Sequence, residues 1–302
     1  MTRPAVLTLR IAIGMIAVSF GAIFIRLAGE APPLAIAAWR LTLAALVVVP
    51  LALVRRGGGD GRGRKTWTLS RDTFLWSILS GGALALHFVL WIVSLRMTSV
   101  ASSALFVSTH PIFVGLGSVL FLRERLSRWL AVGIVLAVAG GGLVALGDAG
   151  LGASTVRGDL LALAGGAMAA VYFVIGRRVR RTASATEYVA VSYATAAIVV
   201  GLGCLATRTP VSGFELPTYG FLVLLALVPQ LLGHSTFNWA LRRLSATKVS
   251  ILVLSEPIGA AVLAYAIFGE SLTWLNLVGA AIILIGITVS LRAKEDPHVD
   301  RD

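Results

Sequence analysis

Cysteine, histidine and acidic residues are scarce in this 302-residue sequence, which holds one cysteine, four histidines and 14 aspartates and glutamates. The single cysteine, Cys204, excludes an intramolecular disulfide and a cysteine-based metal site, and the sequence predicts neither a bound metal nor a cofactor. A phosphate-binding GxxxxGK(S/T) loop and the HExxH and GxSG catalytic motifs are also missing. Their absence argues against ATP-driven transport by this chain and against an enzyme.

Charged residues are few and apolar residues dominate. Hydrophobic residues make up 57% of the chain and charged residues 13%, with 32 glycines and a mean hydropathy of +0.89. These values are far from those of soluble domains and predict an all-α integral membrane protein embedded in a lipid bilayer. A net charge of +12 would suggest nucleic acid as the partner of a soluble protein. Here the cations form short clusters between apolar runs, as membrane topology requires, so nucleic acid is not an expected partner.

Ten apolar segments of about 20 to 25 residues, long enough to span a bilayer with some tilt, follow one another along the chain. The first resembles a signal peptide, but its apolar run to Ala28 is too long for one, so we interpret it as a span. Short cytoplasmic tails at 1–8 and 293–302 flank the set. The predicted spans cover residues 9–28, 33–54, 72–95, 99–122, 128–147, 157–177, 185–206, 217–241, 247–268 and 272–292.

Lysine and arginine are distributed unevenly between the two sides of the predicted membrane. Counted by alternate loops, 21 lie on the side that holds both termini, four lie on the other side, and Arg40 lies within a span. The basic, glycine-rich loop at 55–71 contributes to the first group. By the positive-inside rule, both termini of this multi-pass protein are predicted to face the cytoplasm from the cell membrane.

The second half of the chain repeats the first at an offset of 146 residues. Proline, glutamate and glycine recur at matching positions, for example Pro111 with Pro257 and Glu124 with Glu270. Each half holds five predicted spans, and because five is odd, the second half must enter the membrane from the opposite side. The sequence therefore predicts two inverted-topology repeats around a central cavity at the midplane of the bilayer.

Three segments carry a resemblance to a known family. THPIFVGLGSVLFLRERLS at 109–127 and SEPIGAAVLAYAIFGESLT at 255–273 each place a proline about a dozen residues before a glutamate-containing helix exit. PPLAIAAWRLTLAALVVVP at 32–50 pairs an aromatic residue with an arginine before a Leu/Ala-rich run. Together these segments resemble the EamA repeat of the drug/metabolite transporter superfamily.

The resemblance covers nearly the whole chain, as two copies at 9–147 and 157–292. It implies a ten-helix exporter or permease of small organic metabolites with both termini in the cytoplasm. Arg123 departs from the second copy, which has Gly269 at the matching position. This departure predicts a less tight turn after the fourth span.

Glu256 lies beside Pro257 in the middle of an apolar run. A carboxylate at membrane depth costs several kcal/mol unless it is neutral, paired or in contact with water, so Glu256 marks a candidate functional site. Because proline lacks an N–H and clashes with the carbonyl four residues earlier, Pro257 predicts a helix kink at Glu256, and Pro111 predicts one beside His110. Glu256 is a candidate for proton coupling, with a hydrogen-bonded structural acid as the alternative. His110 is a candidate for proton relay or substrate contact, with a packed neutral histidine as the alternative.

Aromatic and polar side chains recur at helical spacing in two further spans. His87 and Trp91 share one face of the third span, and Gln230, His234 and Asn238 follow the i, i+4, i+8 spacing of one face of the eighth. Polar faces avoid lipid, so these side chains are candidates to line a substrate-binding cavity, with Trp91 as a stacking wall. The alternative is that the amides and imidazoles hold helices together.

Further polar residues lie within the spans or at their ends. Arg40, about seven residues into the second span, is a candidate to bind a substrate anion, or else to serve a structural role by snorkelling or pairing with an acid. Tyr172 and Ser19, near the centres of their spans, are further candidates for the cavity wall. Glu124 is expected to cap its helix or to pair with Arg125 or a neighbouring loop.

A secondary active transporter of small organic metabolites, such as amino acids or drug-like compounds, explains the inverted repeat, the paired kinks and the midplane polar residues together. Alternating access would expose the central site to one side at a time, with protons as a candidate coupling ion. The alternative is a passive facilitator or channel, or a non-transporting membrane scaffold. A channel should be lined by polar groups along its whole length, whereas these residues cluster at the centre.

Overall fold

Helices form all the regular structure in the residues that the computed structural model describes, which are 4–57, 69–98, 103, 106–147, 156–269 and 273–292. Parts of the segments named above lie outside the described residues: 1–3 of the first tail, 58–68 of the basic loop, 99–102 and 104–105 of the fourth span, 270–272 with Glu270, and the tail at 293–302. The helices are α1 (Pro4–Leu27), α2 (Pro33–Gly57), α3 (Arg71–Ser94), α4 (His110–Leu122), α5 (Arg128–Gly147), α6 (Val156–Val179), α7 (Ala185–Thr207), α8 (Leu216–Leu225), a π-helical segment (Ala226–His234), α9 (Ser235–Ala240), α10 (Ala246–Val253), α11 (Ser255–Phe268) and α12 (Trp274–Leu291).

Eight stretches of the described chain are long and apolar enough to cross a membrane. The fourth and fifth predicted spans coincide instead with two shorter apolar helices, His110–Leu122 and Arg128–Leu143. The predicted class, an all-helical protein of the membrane, is therefore confirmed. The eight stretches are Ala5–Leu27, Pro33–Val54, Arg71–Ser94, Val156–Val179, Ala185–Thr207, Leu216–Ala240, Ala246–Phe268 and Trp274–Leu291.

The first helix begins earlier than the apolar run suggests. α1 is helical from Pro4, whereas the first predicted span begins at residue 9. Proline suits the first turn of a helix, because the N–H that it lacks would have no intrahelical partner there. The polar residues before the apolar run therefore extend the helix beyond the predicted span.

Small residues let pairs of helices approach closely. A Cβ atom on Gly140 of α5 would lie 2.6 Å from the Gly279 carbonyl oxygen of α12, and one on Gly81 of α3 would lie 2.5 Å from the Ser192 carbonyl oxygen of α7. Backbone atoms fill the space that a side chain would need. Such close contacts hold helices together where lipid removes the hydrophobic drive for association.

The chain is interrupted just ahead of both prolines that predict a kink. The span at 246–268 breaks at Leu254, between α10 and α11. A turn at 108–109 precedes α4, which has Pro111 in its first turn. Glu256 and His110 therefore lie in the first turns of new helices, and the breaks lie just before them.

The eighth predicted span contains a π-helical segment that sequence spacing does not reveal. Pro229 lies inside this segment, where it cannot donate the usual backbone hydrogen bond and a wider turn relieves its clash. The Ser235 N–H donates to the Gln230 carbonyl, five residues earlier. The prediction of one regular α-helical face through Gln230, His234 and Asn238 is therefore wrong in its local geometry.

The turn after α4 is as tight as the turn after α11. Arg123 has a φ of 55° and Gly269 a φ of 68°, and both cap their helices in the left-handed conformation. The Arg123 N–H donates to the Ser118 carbonyl. The expectation of a less tight turn is wrong, because the arginine adopts the strained conformation at a cost of about 1 kcal/mol.

Gly140→Ala should destabilise the folded protein by about 1–3 kcal/mol, because the new methyl group would overlap the α12 backbone. Gly220→Ala is the matched control, since nothing lies within 4 Å of a Cβ atom at that helical position. Unfolding of both variants in detergent, followed by circular dichroism, gives the comparison. Equal unfolding midpoints for the two variants would contradict close packing of α5 on α12.

Candidate functional site

A cavity of about 520 Å³ opens between the helices. Its wall combines the C-terminal ends of α1 and α3, the N-terminal end of α2, the middle of α6, the length of α11 and the turns before α4 and α11. The C-terminal ends of α1, α3 and α11 and the N-terminal end of α2 lie at one end of the bundle, so the mouth of the cavity is there. The mouth is formed by Arg26, Gly29, Arg96 and Phe268.

Eight of the twelve predicted site residues line this cavity, and four do not. The lining residues come from separate parts of the chain, which the fold brings together. They are Arg40, His87, Trp91, His110, Tyr172, His234, Glu256 and Pro257. The four residues outside the lining set are Ser19, Gln230, Asn238 and Pro111.

Ser19 contributes to helix packing rather than to the cavity wall. Its hydroxyl donates to the Met15 carbonyl at 2.9 Å within α1, and a Cβ atom on Gly259 of α11 would collide with its side chain. The serine is 4% exposed. The prediction that it lines the cavity is corrected, because its hydroxyl already has a backbone partner in its own helix.

Gln230 and Asn238 lie behind the cavity wall and hold residues that form it. The Gln230 side-chain oxygen accepts from Arg40 Nε at 2.7 Å, and Asn238 Nδ2 donates to the Tyr172 hydroxyl at 2.6 Å. Both amides are fully buried. They therefore position an arginine and a tyrosine of the cavity, and the prediction that they face it directly is corrected.

Aromatic rings form a continuous strip along α3. The His87 and Trp91 rings stack, with centroids 6.2 Å apart and planes 6° apart. The His87 and Phe88 rings are 4.8 Å apart, and the Arg40 guanidinium lies 4.0 Å from the Phe88 ring centroid. His87 Nδ1 is 2.9 Å from the Gly165 carbonyl oxygen, which can only accept, so Nδ1 carries a proton in this contact. The Gly165 carbonyl of α6 and the Arg40 side chain of α2 thus hold the strip in place.

His110 connects the two interrupted regions. Its Nδ1 lies 3.1 Å from the Val107 carbonyl oxygen and its Nε2 lies 3.2 Å from the Ser250 carbonyl oxygen of α10. The ring stacks against Phe173, with centroids 6.1 Å apart. A neutral imidazole has one N–H and donates to one of these carbonyls, whereas a protonated ring donates to both. A change in its protonation therefore changes the contact between the turn before α4 and α10.

Glu256 reaches the cavity from the first turn of α11. Its side chain is half-buried, and a Cβ atom on Gly21 of α1 would lie 3.5 Å from its Oε1. The carboxyl group therefore opens to the cavity from the start of a helix.

A buried ion pair lies at the opposite end of the bundle. Arg177, near the end of α6, donates from Nε to Glu124 Oε1 at 2.9 Å and from Nη1 to the Leu241 carbonyl at 2.6 Å. Arg181 Nη2 lies 3.8 Å from the same carboxylate oxygen. The Arg177 and Glu124 side chains are 2% and 6% exposed. This ionic cluster ties the end of α4 to α6 and to the segment after α9.

Arg180 adds two hydrogen bonds at the same end of the bundle. Its Nε donates to the Asn238 carbonyl at 3.0 Å, and its Nη1 donates to the Ala183 carbonyl. Burial, assisted by the positive charge of Arg242, lowers the pKa of Arg180 to about 10. The guanidinium therefore stays charged at neutral pH and keeps both hydrogen bonds.

This ionic cluster was not predicted from the sequence. Glu124 pairs with Arg177, 53 residues away, so the expected pairing with Arg125 is corrected. The contact to Arg181, in the turn after α6, agrees with the expected pairing to a neighbouring loop. Both partners lie at helix ends among many basic residues, where periodicity gives no signal. The one available hint is that Glu124 is the only acid in the segment RERLSR at 123–128.

The fold and this site define a helical membrane protein with a half-open central cavity. The sequence pattern of the EamA-like transporter family matches residues 6–146 and 156–292. The chain therefore belongs to the EamA-like transporter family and is a membrane transporter by family.

Relatives of this chain support that assignment. YyaM of Bacillus subtilis, described as an uncharacterized transporter, is 26% identical over 267 residues, which cover 86% of this chain and 84% of YyaM. Solute carrier family 35 member G1 of Mus musculus is 23% identical over 286 residues, which cover 89% of this chain and 74% of that protein. A protein of known crystal structure superposes with a TM-score of 0.78 over 95% of this chain and 97% of its own, at 20% identity. That likeness supports the fold alone.

Trp91→Ala should change which solutes are transported, lowering the affinity for planar ones by about tenfold, because the stacking wall is lost. Trp274→Ala is the matched control, since that indole is 69% exposed on the outer surface. Competition by a panel of planar and aliphatic solutes in proteoliposomes measures the change. An unchanged profile at normal expression would contradict a role for Trp91 in the site, and loss of folded protein would indicate a packing role.

Proposed function

We propose that this chain is a secondary transporter of small organic solutes that works by alternating access around the described cavity. The observation that carries the proposal is the asymmetry of the bundle. A cavity opens at one end, and a buried ionic cluster closes the other. A carrier must expose its site to one side of the membrane at a time, and this arrangement corresponds to one of its two states.

The orientation follows from counting helices and charges. The eight long stretches and the two shorter apolar helices would together make ten crossings, and an even number would put both termini on the same side. The basic side is then the cytoplasmic side of the cell membrane. In this orientation the cavity opens away from the cytoplasm, and the Glu124–Arg177 cluster is the cytoplasmic gate.

Two inverted repeats, at 9–147 and 157–292, would supply the moving halves. The family pattern matches each half separately, and the helix breaks at Ser108 and Leu254 occupy matching positions of the sequence repeat. These observations support a pseudo-two-fold axis through the cavity. Rocking of one half against the other would open the cytoplasmic gate as the mouth closes.

Proton coupling through Glu256 is the driving force that we propose. The carboxyl lies in the cavity between the mouth and the cytoplasmic gate. Alternating access would let it exchange protons with one side and then the other. If the carrier changes state in its empty or its loaded form only when this carboxyl is protonated, the flux of protons is linked to the flux of solute.

Glu256→Gln should abolish solute accumulation driven by a pH gradient while counterflow of solute persists, because glutamine mimics the protonated carboxyl and keeps the carrier cycling. Glu30→Gln is the matched control, an exposed acid near the mouth. Both fluxes are measured in proteoliposomes with a panel of labelled metabolites. Unchanged gradient dependence in Glu256→Gln would contradict coupling at this residue. Absence of counterflow in the unaltered protein would contradict the carrier mechanism itself.

Glu124→Gln should open the cytoplasmic gate, because Arg177 would lose its ionised partner, a loss of about 3–5 kcal/mol for a buried pair. Asp72→Asn is the matched control, since it removes an exposed contact to Arg178 of 3.9 Å. Reaction of Leu241→Cys with an impermeant maleimide, in a Cys204→Ser background, reports the opening. We expect labelling from the cytoplasmic side to rise at least about tenfold in Glu124→Gln alone. Equal rates in both variants would contradict the gate.

A further inference from the structure

Positive charge dominates the cavity wall. Among the described residues that line it, the charged ones are three arginines, Arg26, Arg40 and Arg96, and one acid, Glu256. These four residues together carry net positive charge whether Glu256 is ionised or protonated. A cleft of one sign with low-dielectric walls focuses its field and raises the local concentration of the opposite charge. The cavity is thus built to attract anions.

Arg40 is the arginine that lies deep in this wall, and it is held on two sides. Its Nε donates to Gln230 Oε1 at 2.7 Å, and its guanidinium carbon lies 4.0 Å from the Phe88 ring centroid. The side chain is 2% exposed. A hydrogen bond along one edge and a ring against one face fix the plane of the guanidinium group.

The other edge of the guanidinium group remains available. Within the described part of the chain, the bond to Gln230 is the one hydrogen bond of Arg40, and no carboxylate lies within 4.0 Å of it. Its terminal nitrogens Nη1 and Nη2 are not among the fully buried polar atoms that lack a partner, so they retain access to the cavity. A fixed guanidinium fork of this kind matches the two oxygens of a carboxylate.

Aromatic rings continue from Arg40 along the wall. Phe88 beneath the guanidinium contacts His87, which stacks on Trp91, and Phe173 lines another side of the cavity. A planar or apolar body next to a bound carboxylate would lie against these rings. A volume of about 520 Å³ is suited to a small organic molecule.

We propose that the substrate class is a small organic acid, whose carboxylate binds the free edge of Arg40 and whose planar or apolar body lies against the α3 ring strip. The inference rests on the proposed transport function and deepens it by naming the substrate class. A purely structural arginine, which only ties α2 to the π-helical segment, would be indifferent to the charge of the ligand. Ligand charge is therefore the variable that separates the two roles.

Binding to the full-length protein in detergent tests the proposal with matched trios of probes. Each trio shares one body and differs in charge, as phenylacetate, phenylacetamide and phenethylamine do, and linear and branched aliphatic bodies supply further trios. Thermal stabilisation as a function of probe concentration gives the affinities. In the unaltered protein, the best-bound carboxylate should exceed its amide by about tenfold or more, and the amine should bind most weakly.

Two substitutions of Arg40 locate that preference. R40Q should lower carboxylate affinity to the level of the amide and leave amide affinity unchanged. R40K keeps the charge and loses the planar fork, so it should lower carboxylate affinity by about tenfold, and it decides the outcome if R40Q fails to fold. R157Q is the matched control, because Arg157 is exposed at the same end of the bundle and does not line the cavity. Its carboxylate affinity should be unchanged.

The results separate this inference from the transport proposal. If no carboxylate binds better than its amide, or if R40K and every folded R40Q sample keep the full preference, the organic-acid inference is overturned. Counterflow of amides or amines in proteoliposomes would in that case leave the transport function standing. Conversely, carboxylate binding that depends on Arg40, without flux of any probe, would support the site and contradict the proposed transport.

Discussion

Inside a hydrocarbon layer, a charged side chain must find its partners within the protein, and two arginines of this chain do so in opposite ways. Arg177 is neutralised by Glu124 and by a backbone carbonyl in a buried cluster. Arg40 is only partly satisfied, by an amide and an aromatic ring, and its free edge meets a cavity. The first arrangement joins helix ends at one end of the bundle, and the second leaves one edge of a guanidinium group open to the cavity.

Irregular backbone makes these arrangements possible. The turns before α4 and at Leu254 place His110 and Glu256 at the starts of helices, where a free helix end favours polar contacts. The π-helical segment turns Gln230 toward Arg40. Such departures from regular helices are tolerated at membrane depth where they face protein or a water-accessible cavity. Three residues of the candidate site, His110, Gln230 and Glu256, therefore lie where the regular helices are interrupted.

Much of this organisation could be predicted from the sequence, and the exceptions have physical causes. Apolar runs predict the long helices because the bilayer fixes their length, and prolines predict the breaks because they remove a backbone donor. His87 and Trp91 could be assigned to one face because α3 is a regular helix. The sequence could not show that Ser19 lies outside the cavity wall. Its hydroxyl donates to a backbone carbonyl of its own helix, and the spacing of residues does not reveal which hydrogen-bond partner a hydroxyl takes.

Contacts between distant parts of the chain could not be predicted from the sequence, for a different reason. Glu124 and Arg177 lie 53 residues apart, and each could have paired with several nearer charges. Which pair forms depends on how α4 and α6 pack against each other. That packing leaves no recognisable pattern in a single sequence. The same holds for Gln230, whose position behind Arg40 depends on the π-helical segment. The chemistry of individual residues could be predicted from the sequence, but their partners in the tertiary structure could not.

We propose that the mouth and the end that carries the ionic cluster open in turn. Distances between spin labels in proteoliposomes test this exchange, with one pair at Leu95 and Ile267 across the mouth and another at Arg125 and Arg242 across the end that carries the cluster. On addition of a transported solute, we expect the mouth distance to shorten while the distance across the other end lengthens. Two distances that stay fixed, or that change in the same direction, would contradict alternating access.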